Sequence, residues 1–108
     1  MMQSEHVLRM ADLRRACSVL LDEAERRFGD QVDLTEVPVD LYWSVDLAAA
    51  FDMSRAPAAQ LGCGQVSDDV AEIVALVQRD PEDVTALWHD LDHLAGVIRL
   101  LAHLDLPH

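Results

Sequence analysis

The residues best placed to do chemistry are His89-Asp90-Leu91-Asp92-His93. Two histidines four positions apart leave a helix on one side, with Cβ atoms about 6 Å apart, near enough to share a metal ion. The metalloprotease pattern His-Glu-x-x-His has a glutamate general base directly after the first histidine. Here that place holds Asp90, one methylene shorter. A zinc ion needs a third protein ligand in a catalytic site and a fourth in a structural one. No third ligand stands at a characteristic spacing, and His103 projects from another side of the same helix. The pair therefore reads first as solvated or interface-lining side chains, and the alternative is a divalent metal such as zinc held between two subunits.

The other candidates divide in the same way. Asp68, Asp69 and Glu72 cluster at a helix start, where negative charge is favoured by the helix dipole; paired carboxylates there also suit cation binding or acid–base work. Tyr42 and Trp43 are adjacent aromatics in a segment expected to be extended, so they project to opposite sides. One anchors the segment and leaves the other to a partner, or both pin the loop to a small core. Cys63, between two glycines, reads as a bystander thiol, since nucleophilic chemistry would require a base beside it. Cys17 lies on an apolar stripe and is expected in the core. Gly62-Cys63-Gly64 lacks the lysine and later glycine of a phosphate loop, and no Ser-His-Asp signature is present.

Helices must position these groups. Met10, Leu13, Cys17, Leu20, Leu21, Ala24 and Phe28 recur at three- and four-residue spacings, which predicts a helix over 4–28, with Ser4 as N-cap and Gly29 as C-cap. From Asp30 to about Ser44 the pattern becomes extended. Ser44 caps a short helix to about Asp52, and Pro57 and the Gly62–Gly64 stretch mark a second loop. Ser67 caps a third helix with Val70, Ile73, Val74 and Val77 inward. Asp80-Pro81 starts the last, which runs to about Leu104. Its inner stripe is expected to be Val84, Leu87, Trp88, Leu91, Leu94, Ala95, Ile98 and Leu101. Val97, Leu100 and Leu104 lie opposite, and a helix apolar on two sides is central in a bundle or in an oligomer interface.

The chain has 108 residues and a formal net charge of −12. Up to Gly29 five arginines balance five acids, so the whole excess follows, where three arginines face fifteen acids. That field disfavours nucleic acid and anionic membranes and suits a partner with a basic surface. No lysine or asparagine occurs, a bias expected of a GC-rich bacterial genome. Two cysteines make no disulfide framework, and no signal-peptide or membrane-spanning run is evident, so a cytoplasmic location is expected.

Asp40-Leu41-Tyr42-Trp43 and Gly64-Gln65-Val66-Ser67-Asp68-Asp69 resemble small uncharacterised bacterial proteins with a "YYW" segment and a "GxLSDD"-like helix start. The resemblance spans roughly residues 40–77; Leu41 replaces the second tyrosine and Val66 the leucine before the serine. It implies a shared fold and importance for Tyr42, Trp43, Ser67, Asp68 and Asp69, and no activity. The expectation is a single all-α domain over 1–108, of three main helices and a short one, with an extended aromatic loop. The favoured function is a non-enzymatic acidic protein-interaction module, an accessory, inhibitor or immunity/antitoxin-like subunit. It would bind a partner through Tyr42, Trp43, Asp68 and Asp69, and dimerise through the last helix. The alternative is a metal-binding protein or metal-dependent enzyme using His89 and His93.

Overall fold

The computed structural model describes residues 7–37, 39–56, 61–84 and 86–107. They fall into two units, Met1–Asp33 and Leu34–His108. The first is built on one helix, α1 (Met10–Phe28). Gly29 ends it at φ +85°, a conformation only glycine adopts without strain, and its N–H donates to the Glu25 carbonyl. Glu23 bonds Arg26 and Arg27 along the last turns, and these two cations hold its carboxyl down at about 2. No residue of α1 is buried, and Cys17, expected in a core, is exposed. The amphipathic stripe makes the helix but finds no cover among its own unit's residues.

The second unit begins with a 3₁₀ turn, Leu34–Glu36, and continues through β1 (Leu41–Val45), α2 (Leu47–Ala50), β2 (Leu61–Gln65), α3 (Val66–Gln78), a 3₁₀ turn at Pro81–Asp83 and α4 (Leu87–Leu104). It is mostly helical, but β1 and β2 pair antiparallel, Tyr42 opposite Gly64 and Trp43 opposite Cys63, so the all-α expectation is corrected. The expected loop at Gly62–Gly64 is a strand. Gly64 is there for clearance, since a Cβ on it would overlap the Tyr42 ring. The expected break at Pro57 lies outside the described residues.

The strands feed directly into α3. Asp40, just before β1, accepts the Val66 N–H on its backbone carbonyl (2.7 Å) and the Ser67 N–H on its side chain (2.9 Å). Gln65 and the Ser67 hydroxyl also donate to its carboxylate. The cap of α3 thus comes from Asp40 and not from Ser67, which locks strand and helix together. Gln65 first, and then Ser67, hold the Asp40 carboxyl below its ordinary range. Asp80 does accept from the Glu82 N–H, but it caps the short 3₁₀ turn, and α4 starts only at Leu87.

α3 packs against α4, and the most deeply buried residues of both helices are not the expected ones. Asp90, Gly96 and Leu100 are buried on α4, and Val66 and Asp69 on α3. Of the predicted inner stripe of α4, Leu87, Trp88, Leu91, Leu94 and Ile98 are 39–64% exposed and Ala95 is exposed, while Val84 and Leu101 are half-buried. On α3, Val70 and Ile73 are half-buried and Val74 and Val77 exposed. Among the described residues only Ala49, Val66 and Leu100 are buried apolar side chains, and none is fully so. Such a core contributes little by area, about 1.5–3 kcal/mol per large residue. The inward face is organised by polar pairing instead. None of the described helices is long and apolar enough to cross a membrane.

Candidate metal centre

His89 and His93 share the packed face of α4, as their four-residue spacing requires. Their Nε2 atoms lie 3.2 Å apart. Behind each ring stands a carboxylate. His93 Nδ1 is 2.7 Å from Asp69 Oδ1, and His89 Nδ1 is 3.8 Å from Asp90 Oδ1. Because a carboxylate only accepts, His93 carries its proton on Nδ1 and turns the Nε2 lone pair towards His89.

Asp69 and Asp90 are the two buried charged residues among those described, 4% and 7% exposed. A buried carboxylate is costly unless it is paired. Asp69 accepts from the Tyr42 hydroxyl on its second oxygen. Asp90 accepts from Arg79 at 3.0 Å. Burial, and then Asp69 itself, push the Tyr42 phenol well above its usual range, so it stays a proton donor to Asp69. Gly96 makes room for this pair, since a Cβ there would collide with the Asp69 carboxylate and the Tyr42 hydroxyl.

A third group able to ligate a metal comes from α3. Glu72, three residues after Asp69 and so on the same helix side, forms a cluster with both imidazoles, with the ligand atoms all within 4.8 Å of one another. His93 is 22% and His89 44% exposed, which leaves an approach from solvent past His89 and the Trp88 ring packed edge-on beside it.

The sequence-level candidates are thereby sorted. His89, His93 and Asp69 come together, Asp68 is exposed, and Tyr42 turns inward while Trp43 is 74% exposed. Cys63 is exposed and bonds only weakly, to its neighbour's carbonyl. Asp90 does not stand where the metalloprotease base would: Arg79 holds it at the back of His89. Arg79 is not among the candidates the sequence offers, and Glu72, grouped there with Asp68 and Asp69, joins the two histidines instead. The usable signal was an Asp-x-x-Glu pair on one helix face to match His-x-x-x-His on another. No family model, curated protein or solved structure matches the chain.

Proposed function

We propose that the Leu34–His108 unit binds a zinc-class divalent metal ion through His89, His93 and Glu72 within one chain. The observation that carries this reading is the convergence of two imidazole Nε2 atoms at 3.2 Å beside Glu72, with the His93 ring hydrogen-bonded to buried Asp69. With Zn–N bonds of about 2.0–2.1 Å, that separation subtends roughly 100–105° at the metal, close to tetrahedral. The Asp69 carboxylate on His93 Nδ1 fixes that ring's tautomer and angle and raises its ligand basicity, the usual role of a carboxylate behind a metal-bound histidine. A small rotation of Glu72 completes a three-ligand set that keeps one position for water or another molecule. An ion so held would act as a Lewis acid on whatever occupies that position.

Calorimetric titration of the chelator-treated chain with zinc tests this. One equivalent should bind, with His89→Ala or His93→Ala abolishing binding and Asp69→Asn weakening it about 10–100-fold. Unchanged zinc stoichiometry in the His89→Ala/His93→Ala double variant would end the proposal.

A second reading, the acidic protein-interaction module, is favoured by the exposure of Trp43 and of the Leu87, Leu91, Leu94 and Ile98 stripe. Exposed aromatics and apolar stripes are what partners bury. Its homodimeric form, through α4, requires a concentration-dependent mass in light scattering; a monomer throughout would contradict it.

A further inference from the structure

Beyond the metal ligands, the same packed face of α4 continues into a cavity of about 180 Å³. Its walls are apolar and aromatic, with Tyr42, Trp43, Val66 and Leu100 around Gly96, and Arg99 and His103 contribute its polar groups. Glycine at 96 keeps this part of the helix low.

Arg99 is the unusual member. Of the three arginines after Gly29, Arg55 pairs with Asp52 and Arg79 with Asp90. Among the described residues Arg99 has no carboxylate partner, although fifteen acids share this part of the chain. Its charge is felt at the Tyr42 phenol, so it acts on the cavity wall. A guanidinium next to apolar and aromatic walls matches a ligand with a carboxylate at one end and an apolar body at the other. The volume falls short of the about 300 Å³ at which drug-sized pockets begin, which limits the body to a single ring or a short chain.

We propose that this cavity is a binding site for small apolar carboxylates, with Arg99 holding the carboxylate and Tyr42, Trp43, Val66 and Leu100 holding the body. The site does not depend on the metal reading, since none of its residues is a metal ligand in that account.

The test uses the full chain stripped of metal by chelation, so that a carboxylate cannot register by ligating an ion. Phenylacetate is the probe and its neutral isostere phenylacetamide the control, each followed by NMR shifts of the Trp43 indole and the Val66 and Leu100 methyls. Phenylacetate should saturate these signals with a Kd of about 1 mM or tighter, within reach of a ten-atom ligand. Phenylacetamide should bind at least about tenfold more weakly, as loss of a charged hydrogen bond implies. Arg99→Gln, at an exposed position, should bring phenylacetate down to the level of the amide while leaving the spectrum folded. Shifts that do not saturate, equal binding of acid and amide, an unaffected Arg99→Gln variant, or saturable shifts located away from these residues would each overturn the proposal.

Discussion

Along α4, one face carries His89, His93, Gly96 and Leu100 and packs on α3, while the other carries Leu87, Leu91, Leu94 and Ile98 and is exposed. By hydrophobicity alone the second face should be the buried one. The difference shows that a small unit can be organised by paired polar groups when each finds its partner. Asp69 has Tyr42 and His93, and Asp90 has Arg79, so both carboxylates offset their desolvation locally. A polar face whose two buried carboxylates are paired has the character of a site, although Arg79 Nε on it is buried without a hydrogen-bond partner, and the apolar face has the character of a surface.

Substitutions on the two faces should therefore have unequal effects. The largest is expected from Gly96→Ala, which places a methyl group against Asp69 and the Tyr42 hydroxyl. Overpacking costs about 1–3 kcal/mol in general. The collision with a buried carboxylate should keep the net loss near 2 kcal/mol, despite the about 1 kcal/mol that alanine gains over glycine in a helix. Urea denaturation of the Leu34–His108 transition measures it; a neutral or stabilising result would break the comparison.

On the opposite face, Leu91→Gln and Leu94→Gln should each change stability by no more than about 0.5 kcal/mol, as exposed positions do. A loss of 2 kcal/mol at either would mean that this face is covered in solution, and it should then vary with protein concentration.

The smallest effect belongs to the link between strand and helix. The Asp40 carboxyl is held below its ordinary value of 3.8 by Gln65 and Ser67, so the stability it contributes is present above that value and is lost as pH falls through its lowered folded-state value. Asp40→Asn should lower the Tm at neutral pH and flatten the fall in Tm below about pH 4. Identical acid profiles for the variant and the parent chain would contradict the cap.

Much of this architecture could be read from spacing. The stripe of α1 and its Gly29 stop follow from periodicity and from glycine's access to positive φ; α3 is a helix where its pattern lies, and α4 ends at Leu104 as expected but starts at Leu87 and not at Pro81. The second strand was not legible. Leu61-Gly62-Cys63-Gly64-Gln65 has the composition of a loop, and only the Tyr42 ring above Gly64 explains it. Nor was the orientation of α4, because apolar counting gives no credit to a polar residue whose partner sits 24 positions away, as Asp69 does for His93. The place of Glu72 beside the two histidines was hidden for the same reason: that cluster exists only once α3 lies beside α4.

The most direct test of the inward polar face as a metal centre is ¹⁵N NMR of the imidazole rings before and after one equivalent of zinc. The account predicts a protonated Nδ1 on His93 without metal, and a joint shift of the Nε2 resonances of His89 and His93 when zinc is added. Nε2 signals that stay in place with zinc present, or a His93 proton found on Nε2, would contradict it.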